Sequence, residues 1–408
     1  MPLPRTLSHF ARQASATFPV LLLTGARQVG KTTLLQDLRE PDRGYVTLDD
    51  PLALQLARTD PALFLARFPP PVLIDEVQYA PELFAHIKMA VDTARRPGMY
   101  WLTGSQAFHL MRNVSESLAG RVAVVQLLGF SRREARGRGL PPLPPLLPTA
   151  AALAPRAADA EPLDLRELYS LIWRGAYPAI ATNPALDRDL FYGSYLQTYL
   201  QRDLRDLARV GDELAFQRFL RGAAARTGQL LNVADLARDA DVAPNTARSW
   251  LSILEASGLV YLLPPSHGNL GKRLLKTPKL YFLDTGLCAY LTQWSSPETL
   301  EAGAMSGAIL ESWVVAEILK SYWHQGRLAP FHYYRDKDQR EINLVIEADG
   351  VLYPVEIKKT ASPGRDTLRG AAALERLGVP VGEGAVICLV PEAIPLSRSV
   401  QAVPIGWL

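Results

Sequence analysis

Cysteine is almost missing: Cys288 and Cys388 are the only two in 408 residues, each isolated in an apolar run. That excludes a disulfide framework and fits a reducing interior. The six histidines are scattered without zinc-ligand spacing. Neither sign of charge is in excess. Lys and Arg number 44 against 41 Asp and Glu, a net charge of +3, so bulk electrostatics argue for no nucleic-acid partner and any basic patch is local. Long apolar runs are missing too: none approaches the roughly 18 residues of a membrane helix. The N-terminus has Arg5, His9 and Arg12 with no apolar core behind them, which gives no sign of a secretory signal. The expectation is a soluble, cytoplasmic protein. What is present is globular composition, 48% apolar and 21% charged, in a chain long enough for two to four domains.

One stretch organises the rest. Gly25-Ala26-Arg27-Gln28-Val29-Gly30-Lys31-Thr32 fits G-x-x-x-x-G-K-[ST]. It lies between a short apolar run, Val20 to Thr24, and an amphipathic helical start, Thr33 to Leu38. The glycines let the backbone curl so that N–H groups face a phosphate, and the helix behind adds its positive end. In this pattern Lys31 reaches the β- and γ-phosphates of ATP and the Thr32 hydroxyl ligates Mg²⁺.

Downstream, Val72-Leu73-Ile74 runs into Asp75-Glu76. An acidic pair after an apolar strand often just caps it; behind a phosphate loop with one strand between (Gly44 to Asp50) it supplies Asp75 for Mg²⁺ and Glu76 for the attacking water. A further buried strand ends in Leu102-Thr103-Gly104-Ser105-Gln106. Ser105, with Thr103 as the alternative, is placed to sense the γ-phosphate, since ligands of open α/β sheets sit at the carboxyl ends of strands; turn residues closing a strand are the plainer reading. Arg121, before the strand Val122 to Leu127, is a candidate to complete a neighbouring subunit's site; Arg112 competes, as does a plain surface role for either.

From Arg132 composition shifts, and the Pro/Ala-rich segment 136–162 reads as an extended linker or insertion. A helical region follows over 163–227. Residues 228–299 hold a helix-turn-helix candidate: Leu231 to Ala237, a turn at Val242-Ala243-Pro244, then Asn245 to Leu254, stopped by Gly258 and followed by a wing strand, Leu259 to Leu263. If DNA is read, Asn245, Thr246, Arg248 and Ser249 occupy the exposed positions, with Lys272, Arg273 and Lys276 in the wing. Only one arginine is on that helix, and winged helices also serve as protein-contact modules.

Over 300–408, Glu311 on a helix, the strand Glu341-Ile342-Asn343, and a strand ending Glu356-Ile357-Lys358 have the spacing of the PD-(D/E)XK nuclease core. Period two puts Glu356 and Lys358 on one face. The plain alternative is an amphipathic strand with a solvated Glu/Lys face.

With the phosphate loop, Asp75-Glu76, Thr103-Gly104-Ser105-Gln106 and Ser117-Leu118-Ala119-Gly120-Arg121 in hand, the chain resembles the prokaryotic AAA-type ATPases with a C-terminal nuclease-like domain of unknown function. The resemblance continues through Arg174-Gly175-Ala176-Tyr177-Pro178 to Lys358. It implies an α/β fold with an AAA+ core (1–135), a helical lid (163–227) bearing Arg174 near the sensor-2 region, a winged helix (228–299) and a restriction-endonuclease-like domain (300–408). It also implies ATP and Mg²⁺ as cofactors and a ring-forming homo-oligomer, with DNA as the expected partner. The departure is Asn343, where the family has Asp. An amide brings no negative charge, which lowers Mg²⁺ affinity and argues against cleavage. The alternatives are a nucleotide-gated switch acting on a protein partner and an ATP-gated nuclease using Glu311, Glu356 and Lys358.

Overall fold

The computed structural model describes residues 3–105, 117–199, 213–266, 277–336, 339–364, 367, 369–374 and 378–408. Helix α1 (Leu7–Thr17) leads into β1 (Val20–Thr24), buried along its whole length. The loop follows, and α2 (Lys31–Leu38) starts on it. Next come β2 (Gly44–Thr47), α3 (Pro51–Thr59) and α4 (Pro61–Arg67). Both helices start on Asp-Pro. Asp50 accepts from the Leu52 amide and Asp60 from the Leu63 amide, and proline at the first helical position forfeits no bond. Then follow β3 (Val72–Asp75), α5 (Leu83–Ala94), β4 (Tyr100–Gly104) and β5 (Val122–Gln126).

These strands form one parallel sheet in the order β2-β3-β4-β1-β5. Both faces are covered, which is why the strands read as continuous apolar runs. Leu21, Leu23, Leu73 and Trp101 pack with α1 and α2, while Val20, Leu22, Ile74 and Leu102 pack with α3 to α5. Because all five strands are parallel, the loop after β1, the acidic end of β3 and the hydroxyl-bearing end of β4 share one edge.

A one-turn α6 (Arg132–Ala135) and α7 (Ala150–Asp159) come next, then the helices α8 (Leu165–Arg174), α9 (Pro178–Thr182), α10 (Arg188–Tyr199) and α11 (Glu213–Ala224). After β6 (Gln229–Leu230) stand α12 (Val233–Ala240) and α13 (Pro244–Ala256), a helix-turn-helix pair begun by Asn232, which accepts from the Ala234 and Asp235 amides. Strands β7 (Val260–Leu263) and β8 (Lys279–Phe282) join β6 in an antiparallel sheet ordered β6-β8-β7.

The last part contains α14 (Thr285–Leu291), α15 (Pro297–Ala302), α16 (Ser306–Trp323), β9 (Phe331–Arg335), β10 (Glu341–Ala348), β11 (Val351–Ile357), α17 (Arg369–Leu374), β12 (Gly384–Cys388), β13 (Ile394–Pro395) and β14 (Val400–Pro404). Its six strands form a mixed sheet ordered β13-β14-β12-β11-β10-β9. Helix α16 is buried nearly all round, as its apolar sequence on every face requires, and touches the parts on both sides of it.

Residues 136–162, expected as an extended linker or insertion, are packed and partly helical rather than extended. Helix α7 buries Leu153 and Arg156. The Leu146 amide donates to Ser321 Oγ at 3.0 Å, the Tyr322 hydroxyl to the Leu146 carbonyl at 2.9 Å and the Gln325 amide to the Leu143 carbonyl at 2.8 Å. Prolines straighten this segment but leave its carbonyls free to accept, and the end of α16 satisfies them. Among the described residues, no helix is long and apolar enough to cross a membrane.

Candidate functional site

The loop turns on three left-handed residues: Gly25 (φ 142°), Gln28 (φ 61°) and Gly30 (φ 91°). At Gly25 a side chain is excluded outright, since a Cβ would stand 2.2 Å from the Leu127 carbonyl oxygen. Gly30 is the N-cap of α2, so the open amides of the first helical turn face the loop. Lys31, the first helical residue, is buried, and its Nζ donates to the carbonyls of Gly25 at 3.0 Å and Ala26 at 2.8 Å. Val29 is buried in the core, Thr33 is exposed on α2, and Arg27 reaches the Tyr79 hydroxyl at 3.5 Å.

Across from Lys31, Asp75 Oδ1 accepts from the Thr32 hydroxyl at 2.7 Å and also from the Thr103 hydroxyl. Glu76 is left-handed (φ 58°); its amide donates to Thr103 Oγ1 at 3.1 Å, and its carboxylate accepts from the Gln78 amide. Gln78 also reaches Ser105 Oγ at 3.4 Å. Thr103 therefore sits against Asp75, and Ser105 touches Glu76 only through Gln78. Hard oxygen donors from Thr32 and Asp75, an adjacent lysine and a cradle a Cβ would fill suit a Mg²⁺–nucleotide.

Two neighbours were missed from the sequence. Gln78 orients Glu76, and its only signal was its place two residues on. Tyr45 on β2 has its phenol pKa raised by burial first and then by the Asp75 charge; nothing local marks it. The chain beyond the core also closes on the loop. A Cβ on Gly30 would stand 3.8 Å from Pro178 Cγ, and one on Gly258 would stand 3.6 Å from the Ala26 amide nitrogen.

Other expected residues lie elsewhere. Arg121 precedes β5, where its carbonyl accepts from the Val20 amide, so it is at the sheet edge opposite the loop. Its guanidinium pairs with Asp92 on α5, Nε at 2.5 Å and Nη2 at 3.1 Å. The Arg174 guanidinium is taken up by the carbonyls of Ile180, Asn183 and Leu186, at 3.1, 2.6 and 3.2 Å. On α13, Asn245, Arg248 and Ser249 are exposed and Thr246 is half-buried, with Arg248 Nη1 donating to Asn245 Oδ1 at 2.8 Å. Arg112, Lys272, Arg273 and Lys276 lie outside the described residues.

The C-terminal group does converge, and its chemistry is already balanced. Glu311 Oε1 accepts from Lys279 Nζ at 2.8 Å and from the Tyr281 hydroxyl at 2.5 Å, and Oε2 accepts from the Asn343 amide at 2.7 Å. The Asn343 oxygen accepts the Ile357 N–H at 2.9 Å, so it is not turned toward the acids. Lys279 also pairs with Glu341 at 2.5 Å, and Lys358 with Glu356 at 2.8 Å. Burial works to lower the Lys279 pKa, but Glu311 and Glu341 more than reverse it, and the ammonium stays charged. Burial raises the Glu356 pKa against the pull of Lys358. Among the described residues no three His, Cys, Asp or Glu side chains are grouped so as to hold a metal ion. Lys279, on β8 of a different sheet, was the member sequence reading did not find.

Residues 17–136 match the family described as "AAA domain". Over 397 residues the chain is 32% identical to the uncharacterized protein Rv2008c of Mycobacterium tuberculosis and, equally, to the uncharacterized protein Mb2031c of Mycobacterium bovis, covering 96% of this chain and 81% of theirs. The chain belongs to their family, one of AAA-type ATPases. In this AAA-type protein, residues 165–298 and 306–408 match two families described as domains of unknown function, DUF8612 and DUF4143. Among solved structures, it is similar to the Walker-type ATPase PABY2304 of Pyrococcus abyssi, with 16% identity, a TM-score of 0.43, and 71% of this chain and 98% of that one covered. It is also similar to RuvB of Thermotoga maritima, with 17% identity, a TM-score of 0.30, and coverage of 63% and 87%.

Proposed function

We propose that this AAA-type protein hydrolyses ATP in a Mg²⁺-dependent reaction and uses the turnover to bind and remodel DNA as a ring-shaped oligomer. The observation that carries the reading is the hydrogen bond between Thr32 and Asp75, 2.7 Å, next to Lys31 at the carboxyl edge of the sheet. Thr32 and Asp75 would hold the metal, which would offset charge on the phosphates. Lys31 swings from the loop carbonyls to the β- and γ-phosphates, and the loop amides hold the rest. Glu76, kept in place by Gln78, orients the water and receives its proton. Ser105, with Thr103 as the alternative, senses the γ-phosphate. Arg121 lies at the wrong edge for its own nucleotide; leaving its pair with Asp92, it serves the next subunit's site in a ring.

The partition follows the same reading: AAA+ core 1–135, helical lid 163–227, winged helix 228–299 and nuclease-derived domain 300–408, with 136–162 as packed insertion. DNA contacts fall on Asn245, Thr246, Arg248 and the wing residues Lys272 and Arg273. The nearness of Gly258 to Ala26 supports a direct link from nucleotide to that face. The C-terminal domain binds or assembles without cutting, because its carboxylates are matched by lysines.

The test is ATP turnover of wild type and Lys31→Ala, each with no DNA, duplex, single strand and a four-way junction. Stimulation by one DNA form, lost in the mutant, is the expected result; turnover indifferent to every form would sink the DNA part. Arg121→Ala should lose turnover that wild-type subunits restore on mixing. A second reading, a nucleotide-gated switch acting on a protein partner, draws on Arg248 being the single arginine of α13 and engaged with Asn245.

A further inference from the structure

We propose that Arg5 is a positioning residue of the ATP site, gripping the phosphate loop from behind, and that Glu134 and His324 hold Arg5 and thereby tie the loop to α16. The inference rests on reading the loop as the nucleotide site. A loop that aims its N–H groups at an anion turns carbonyls outward, and something must receive them. Arg5 does. Its Nη1 donates to the Val29 carbonyl at 3.3 Å, and Nη2 donates to the carbonyls of Leu128 at 2.6 Å and Gly129 at 3.4 Å. The fork thus staples the loop to the segment after β5, the same wall that Gly25 presses against at Leu127. Its Cζ lies 4.5 Å from the Phe130 ring centroid, which fixes the plane of the guanidinium.

Glu134 and His324 hold the fork. Glu134 is fully buried; Oε1 lies 3.3 Å from Arg5 Nε and accepts the Thr6 amide at 2.8 Å, and Oε2 accepts the Ser131 amide at 2.9 Å. His324, near the end of α16, accepts the Leu128 N–H on Nε2 at 3.2 Å and places Nδ1 3.3 Å from Glu134 Oε1. With Nε2 accepting, the imidazole is neutral and its proton is on Nδ1, facing the carboxylate. A buried ion pair is a poor source of stability compared with apolar packing. What it supplies here is geometry: one planar cation spans two stretches of chain, which the single point of a lysine ammonium cannot do. The result is a phosphate loop whose shape depends on a helix of the C-terminal domain.

The experiment compares wild type, Arg5→Lys, His324→Ala and His324→Gln as full chains, reading KM and kcat for ATP, binding of a fluorescent ATP analogue, and thermal melting. Arg5→Lys should raise KM and the analogue Kd about tenfold, the scale of one lost charge-assisted bond, with kcat within about threefold. His324→Ala should raise KM in the same direction. His324→Gln, whose amide oxygen can take the Leu128 N–H, should recover part of it. Melting alone does not separate positioning from bulk stability; the KM shift and its rescue do. An unchanged KM in both Arg5→Lys and His324→Ala, with wild type active and Lys31→Ala dead, overturns this inference and leaves the ATP site standing. If Arg5→Lys does not fold, the His324 pair decides alone. A wild type that neither binds the analogue nor hydrolyses ATP takes both readings down together.

Discussion

Two clusters in this molecule pair carboxylates with lysine at the ends of buried strands, and they differ in who balances the charge. At the AAA site, Lys31 is occupied by backbone carbonyls, while Asp75 and Glu76 are met by hydroxyls and amides. Among the described residues no ion pair is made by Asp75 or Glu76, which suits that edge to a bound cation. In the C-terminal cluster every acid is paired with a cation: Glu311 and Glu341 share Lys279, Glu341 also lies 3.4 Å from Arg335, and Glu356 pairs with Lys358. Residue types are nearly the same. An acidic cluster is a site only when its charge is left open, and a motif cannot report that.

The comparison can be broken most forcefully at Glu76. Glu76→Gln should lower ATP turnover by about 10²–10⁴-fold, the usual weight of a general base, while nucleotide binding persists; single-turnover kinetics would check it. Loss of binding instead would make Glu76 a ligand-holding group.

Lys279→Met attacks the other side. It strands Glu311 without a cation and leaves Glu341 only Arg335, and denaturant unfolding should show a loss of about 3–5 kcal/mol, the scale for breaking one partner of a buried pair. Adding Glu311→Gln should recover part. A neutral outcome would mean the lysine is not the balancing charge.

Asn343→Asp restores the acid a nuclease would want. It removes the donor to Glu311 Oε2 and sets two carboxylates side by side, so stability should fall by about 1–3 kcal/mol. Incubation with labelled DNA and Mg²⁺ should yield no product. Appearance of cleavage would place this cluster in the same class as the first.

The smallest effect is with pH. Burial lowers the His324 pKa from 6.5 despite Glu134, with Arg5 and Lys320 opposing its charge. For Glu134, burial would raise the pKa, but Arg5 and His324 hold the carboxylate far below its usual 4.5. Both groups bind protons more readily unfolded, so stability is complete above about pH 6.5 and is lost on acidification, first through His324 and then below about 4.5 through Glu134. Melting followed from pH 8 to 4 should show the first decline, and His324→Gln should flatten it.

The AAA site was legible because its chemistry is local. Gly25 to Thr32 is one contiguous piece, and Asp75 and Thr103 each sit at the end of a separate apolar run that a buried strand explains. Less could be read where partners come from different elements. Ser105 and Thr103 look equivalent in sequence, yet the register of β4 turns Thr103 to Asp75 and leaves Ser105 to Gln78. Arg174 carried the look of a nucleotide contact and is consumed by carbonyls of α9 and the chain after it. Residues 136–162 read as an extended linker or insertion because proline-rich composition predicts extension and does not record which helix will donate to its carbonyls.

Residue order alone determined the phosphate loop, the acidic strand end, the parallel α/β core around them and the helix-turn-helix, since each follows from backbone rules and periodicity within a few tens of residues. Tertiary structure decided the charge balance. Lys279 reaches Glu311 across 32 positions and Arg5 reaches Leu128 across 123. Whether a buried acid meets a lysine, or a loop carbonyl meets an arginine, depends on which elements pack together. That choice is made by apolar faces, which say nothing about the charges they will bring into contact.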